Sequence, residues 1–203
     1  MPPEEQVLVV ERNVFESAGA FNGLALDTQR YLDKLFAPGV PRFIPRPQAE
    51  KDPSYKQLIP YVIMTCKGQY LSYVRGKRAG ETRLVAKRSI GIGGHINPVD
   101  WTLFSADPYK IYLEAVQREV AEEVSVEAKY KDKVVALLND DSNEVGRVHL
   151  GIVHLWTLDE PKVERREQMI TQMGFMTLPE LQEVRDTMET WSQICFKGLS
   201  KMA

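Results

Sequence analysis

The chain has 203 residues, 43% hydrophobic and 27% charged, with a net charge of −2 at neutral pH. That length supports one domain with a real core, and the near-neutral charge excludes nucleic-acid binding driven by bulk charge. Two cysteines, Cys66 and Cys195, give neither a disulfide framework nor metal-ligand spacing. With no apolar run near 18 residues and no leader-like N-terminus, the expectation is a cytoplasmic protein with no membrane or nucleic-acid partner.

Residues 6–10 (Gln-Val-Leu-Val-Val) predict a short strand. Residues 27–36 predict a helix capped by Asp27, with Tyr31, Leu32, Leu35 and Phe36 on its apolar side. Prolines 38, 41, 45, 47 and 53 fill the next stretch, so residues 37–54 are expected to form an extended, irregular arm. Segments 59–66 and 69–75 flank Lys67-Gly68 and predict a β-hairpin. Residues 82–87 predict another strand, which leads into Ile90-Gly91-Ile92-Gly93-Gly94-His95. Glycine there lets bare backbone approach a neighbour closely.

After a loop over 95–106, Asp107 and Pro108 supply an N-cap and a first helical residue. A helix is expected to about Val124, with Leu113, Val116, Val120 and Val124 on one face. Strands are expected over 133–138 and 147–158, joined by the turn formers of 139–144. A charged loop over 159–171, a short strand over 174–176 and a final helix complete the chain. Thr177 and Glu180 form a capping box for that helix, and Leu181, Val184, Met188, Trp191 and Cys195 give it one stripe. The order of elements is that of an α+β fold, a mixed sheet between helices.

The acidic helix carries the chemistry. Glu119, Glu122 and Glu123 share one sector roughly 100° wide beside the apolar stripe. Like charges at such spacings cost roughly 0.2–0.5 kcal/mol per pair. They also crowd the end of the helix whose dipole disfavours anions. Arg118 offsets part of this through Glu122, and a divalent cation would offset more.

Gly94 and the run Arg118-Glu119-Val120-Ala121-Glu122-Glu123-Val124-Ser125-Val126 resemble the Nudix box: Gly, five residues, Glu, seven residues, then Arg-Glu-apolar-x-Glu-Glu-x-Gly-apolar. Three positions depart from it: Asp100 stands for the first Glu, seventeen residues separate it from Arg118, and Ser125 replaces the late glycine. The resemblance implies an α/β/α sandwich over 58–203, with 1–57 as an N-terminal extension. It implies a pyrophosphohydrolase cleaving a phosphoanhydride of a small-molecule nucleoside diphosphate derivative. Mg²⁺ or Mn²⁺ would be held by the Gly94 carbonyl, Glu119, Glu122 and Glu123, with Arg118 orienting the glutamates.

A further carboxylate is expected from the 159–171 loop, with Glu167 the choice over Asp159, Glu160 and Glu164. Arg75 is the expected phosphate ligand. Lys87-Arg88 precede the Gly-Gly segment, and Arg88 and His95 are further substrate-binding candidates; Lys77, Arg78 and Arg83 read as solvated charge. Asp100 is expected to bond the loop backbone. His149 and His154, five apart on one strand, should face opposite sides and not share a metal. The Pro-rich arm suggests a homodimer. Two other readings compete: a non-catalytic Nudix-fold module, and an isoprenoid-diphosphate isomerase, which calls for a cysteine where Gly93 stands.

Overall fold

The computed structural model describes residues 4–76, 86–98, 107–168 and 170–202. Asp100, Lys77, Arg78, Arg83, most of the strand expected over 82–87 and most of the loop before the acidic helix lie outside them. The chain divides into two compact units built from interleaved segments: 1–60, 94–118 and 136–152 in the first, and 61–93, 119–135 and 153–203 in the second.

The first unit opens with β1 (Gln6–Glu11), followed without a break by α1 (Arg12–Gly19). This helix was not expected; Gly19, at φ 106°, closes it, and Phe15 and Ala18 are its buried side. Phe15, Phe21 and Tyr31 meet at 5.3–6.4 Å between ring centroids. Strand β2 (Gly23–Ala25) precedes α2 (Thr28–Leu35), the helix expected after Asp27.

The Pro-rich arm is regular where irregularity was expected. It contains β3 (Arg42–Pro45) and α3 (Arg46–Ala49). Pro45 falls at the end of a strand that, among the described residues, pairs with β1 alone, and Pro47 falls in the first helical turn, the places where a missing N–H costs nothing. Strand β1 pairs antiparallel with β3 and with the start of β4 (Tyr55–Cys66), around a small core of Val7, Val9 and Ala49.

In the second unit β4 continues through a Lys67-Gly68 turn into β5 (Gln69–Arg75). Both turn residues have positive φ, 50° and 78°, as the tightest hairpin requires. Strand β6 (Arg88–Ser89) pairs with β5, and Ile92 exchanges backbone bonds of 2.7 and 2.9 Å with Val62.

The acidic helix, α4 (Pro108–Glu123), starts as expected, with Tyr109 N–H donating to Asp107 Oδ1 at 3.0 Å. Its buried side is Ile111, Tyr112, Ala115, Val116 and Val120; Leu113 is half-buried. The helix passes straight into β7 (Val124–Val126). Ser125, in place of the family's glycine, is a strand residue opposite Glu164 in β10 (Val163–Arg165). The loop expected over 159–171 therefore contains a strand.

Strand β8 (Tyr130–Asn139) leads to α5 (Glu144–Val148), a helix where a turn and a strand start were expected, and then to β9 (His149–Leu158). Asn143 caps α5 through Gly146 N–H at 2.9 Å. Strand β11 (Ile170–Met176) is longer than expected and pairs with β5.

The final helix is two helices: α6 (Leu178–Glu183), opened by the Thr177–Glu180 capping box, and α7 (Thr190–Met202), with a 3₁₀ turn over Arg185–Thr187 between them. The Glu189 carboxylate accepts from Trp191 and Ser192 N–H, both at 2.8 Å, and so starts α7. Strand order is β11-β5-β4-β9-β8-β2, in a mixed sheet accompanied by helices.

Candidate functional site

The second unit holds Glu119, Glu122 and Glu123 at the end of α4. Glu122 is exposed, Glu119 half-buried and Glu123 buried. β5 supplies the residues beside Glu123. Tyr73 Oη donates to the Gly91 carbonyl at 2.9 Å and lies 3.4 Å from Glu123 Oε2, and an Arg75 guanidinium nitrogen stands 4.0 Å from Oε1. Arg75 also donates to Tyr73 Oη at 2.9 Å, as residues two apart on a strand can. Burial, with Glu123 alongside, pushes the Tyr73 phenol well above its ordinary value. Burial works against the Arg75 charge, but Tyr73, Glu123 and Glu189 outweigh it and keep the guanidinium protonated.

The Glu123 carbonyl accepts two backbone N–H bonds, from Arg166 at 2.9 Å and Glu167 at 3.1 Å. Glu167, half-buried, is thus anchored at the backbone of a box glutamate. Arg88 is placed differently. Its guanidinium bonds Ser72 Oγ at 3.1 Å and Gln172 Oε1 at 3.3 Å, with the side chain that alternates with Tyr73 and Arg75 along β5. The close backbone approach foreseen in the glycine segment occurs at Gly91, where an added Cβ would lie 2.2 Å from the Tyr61 ring.

The first unit holds Gly94, His95 and Arg118. Arg118 donates to the His95 carbonyl at 3.1 Å. The His95 ring faces that of His149, Nε2 to Nε2 at 3.3 Å, and Glu50 Oε1 is 4.0 Å from His95 Nε2. Burial, then Arg46 and His149, push His95 down to about 3, so it is neutral at physiological pH. In the second unit His154 Nδ1 pairs with Asp132 at 2.8 Å. The two strand histidines thus have separate partners, as their spacing implied.

No family model matches the chain. It is similar to Protein YmaB of Bacillus subtilis, 32% identical over 200 residues, 94% of this chain and 95% of that one. Among solved structures it is similar to Tm1382, assigned to the Nudix hydrolases: 29% identity, TM-score 0.79, over 98% of this chain and 100% of that one. The chain belongs to the Nudix hydrolase family.

Two more distant likenesses show the fold alone. One is the Nudix domain of Shewanella oneidensis NrtR complexed with ADP ribose, at 10% identity and TM-score 0.53, over 72% of this chain and 87% of that one. The other is a bifunctional NMN adenylyltransferase/ADP ribose pyrophosphatase from Francisella tularensis, at 17% and 0.50, over 73% of this chain and 42% of that one. The chain has the mixed-sheet α/β/α sandwich of the Nudix hydrolases.

In this Nudix hydrolase the box glutamates suit a hard divalent cation, because three carboxylates lie in one sector of α4. Sequence reasoning missed Tyr73, Lys56 and Glu50. Tyr73 sits two residues before Arg75, and strand periodicity would have placed both on one face. Lys56, in the first unit, is fully buried. The three N–H donors of its ammonium are shared among four acceptors: Asn139 Oδ1 at 2.6 Å, Asp141 Oδ1 at 2.8 Å and the carbonyls of Gly146 and His149 at 2.9 and 3.3 Å. An all-polar cradle of this kind leaves no mark in the sequence, because its members lie up to 93 residues from Lys56.

Proposed function

We propose that this Nudix hydrolase cleaves the phosphoanhydride of a nucleoside diphosphate derivative and depends on Mg²⁺ or Mn²⁺. The observation that carries the reading is the buried Glu123 carboxylate beside the charged Arg75 guanidinium, at the end of a helix bearing two more carboxylates. Glu119, Glu122 and Glu123 would hold the cation, which supplies polarisation of phosphoryl oxygens and a more acidic bound water.

The chain's own residues do the rest. Tyr73, anchored on the Gly91 carbonyl, accepts from Arg75 and so orients the guanidinium beside Glu123. Arg75, permanently charged, binds the diphosphate oxygens, for which a guanidinium fork is well shaped. Glu167, tethered by its N–H to the Glu123 carbonyl, supplies a carboxylate for the proton of the attacking water.

The test is a turnover screen with Mg²⁺ and with Mn²⁺ over ADP-ribose, nucleoside diphosphate sugars, dinucleoside polyphosphates, nucleotide cofactors and nucleoside triphosphates. Glu167→Gln should lower kcat at least about 10²-fold, the lower range for loss of a general base. Glu122→Gln and Glu123→Gln should raise the metal concentration giving half-maximal rate. Wild-type rates in all three variants at limiting metal would show that the carboxylates are surface charge.

A further inference from the structure

The first unit contains a second cluster with ligand geometry, made of residues outside the Nudix box glutamates. Glu50, His95 and His149 each point one donor atom into a common space, and the three atoms lie within 4.8 Å of one another. The two imidazoles approach through Nε2 at 3.3 Å. Two nitrogens bound at about 2.0–2.1 Å to one tetrahedral zinc stand about 3.3–3.4 Å apart, so this edge already has the length a metal requires.

The tautomer agrees. His149 Nδ1 is 2.7 Å from the Val145 carbonyl, which can only accept, so the ring proton sits on Nδ1 and the Nε2 lone pair faces His95. A metal-bound imidazole is held by the same kind of bond to a backbone carbonyl. Glu50 Oε1, 4.0 Å from His95 Nε2, is the one donor that must close in. Its side chain is one-third exposed, and the same oxygen accepts from Arg46 Nε at 3.3 Å.

All three positions are fixed by their backbones. Glu50 N–H bonds Arg46 O at 2.9 Å. The His95 carbonyl accepts from Arg118, and the next carbonyl, of Ile96, accepts from Leu8 N–H at 3.0 Å. The His149 carbonyl accepts from Lys56. Gly146, beside Val145, has no room for a Cβ, which would fall 1.7 Å from the Asp140 carbonyl.

We propose that Glu50, His95 and His149 form a transition-metal site that takes Zn²⁺ or a similar borderline divalent cation. Two imidazoles and one carboxylate favour such an ion over Mg²⁺, which prefers an all-oxygen shell. Three protein donors leave the fourth tetrahedral position to water or an anionic oxygen.

Chelator-treated full-length protein titrated with Zn²⁺ in excess Mg²⁺ tests this. The chain has only three histidines, so a histidine-selective ¹H–¹⁵N spectrum reads the site directly. Zn²⁺ should bind one-to-one and shift two of the three imidazoles, and excess Mg²⁺ should not displace it. Glu50→Gln and His149→Gln should each weaken binding at least about tenfold, the smallest loss that even outer-shell changes cause. Glu122→Gln should bind Zn²⁺ as the wild type does.

If His149→Gln fails to fold, Glu50→Gln decides, because its side chain is partly exposed and the wild-type spectrum already reports both rings. Binding that shifts fewer than two histidines, survives Glu50→Gln or yields to Mg²⁺ overturns the proposal. None of these readings depends on turnover, so a failed substrate screen and a failed metal site remain distinguishable.

Discussion

Replacing Lys56 by Met tests how the first unit is held together. The side chain is fully buried, so the substitution keeps most of its volume and removes only the ammonium. Four acceptors lose the ammonium: Asn139 Oδ1, the His149 carbonyl, the Gly146 carbonyl, which retains the His149 N–H, and Asp141, which retains Arg12 at 3.0 Å. Each buried acceptor left unsatisfied costs about 1–3 kcal/mol. Against this, the ammonium no longer has to be desolvated, which recovers several kcal/mol. Burial indeed lowers the Lys56 pKa, although Asp141 partly holds it up.

Breaking a buried pair by removing one partner typically costs about 3–5 kcal/mol, and Arg12 softens that here, so a net loss of about 2–4 kcal/mol is expected. For a chain of this length that lowers Tm by about 5–15 °C. Urea unfolding of wild type, Lys56→Met, Asp141→Asn and the double variant measures the loss and the coupling energy. A loss below about 1 kcal/mol, with no coupling, would refute the view that the cradle outweighs the burial cost.

Gln57, next in sequence, is fully buried with neither amide atom hydrogen-bonded among the described residues. Gln57→Met should therefore stabilise the fold by about 1–3 kcal/mol, read as a higher urea midpoint, and an unchanged or lower midpoint would count against this. Gly91→Ala forces a methyl into the Tyr61 ring and should cost about 1–3 kcal/mol, read as a lower Tm. Arg75→Met should raise KM for a diphosphate substrate more than it lowers kcat; an unaffected KM would remove Arg75 from the phosphate site.

Acid should also report on Asp141. Burial would raise its pKa, but bonds from Arg12 and Lys56 prevail and hold it well below the ordinary carboxylate range. The unfolded chain then takes up the proton first. The stabilisation is complete above about pH 4 and is lost as pH falls through the folded value. Urea midpoints between pH 6 and pH 3 should drop less in Arg12→Met than in wild type.

What could be read from sequence was local. The Lys67-Gly68 hairpin, the Asp107-Pro108 helix start and the Thr177–Glu180 capping box depend on residues a few positions apart, and all three are present. The last helix misled because Leu181, Val184, Met188, Trp191 and Cys195 keep helical spacing across a break. The signal for the break is Glu189, which caps a new helix and also accepts from Tyr61 Oη, a tertiary contact. Pro45 and Pro47 misled in the opposite direction, since each sits where its missing donor is not needed. The box glutamates were legible because they recur at helical spacing. Glu50, His95 and His149 were not, being 45 and 54 positions apart and brought together only by folding.

The join between α4 and β7 makes the end of the acidic helix measurable from outside it. The Glu123 carbonyl is latched by the Arg166 and Glu167 amides, and the Arg166 guanidinium reaches the Ala121 carbonyl at 3.0 Å. The amide hydrogens of residues 166 and 167 can exchange with solvent only when that latch opens. Their exchange rates are therefore a clock for the last turn of the helix. They should slow when a cation or substrate steadies the carboxylates, giving a binding signal read at the backbone.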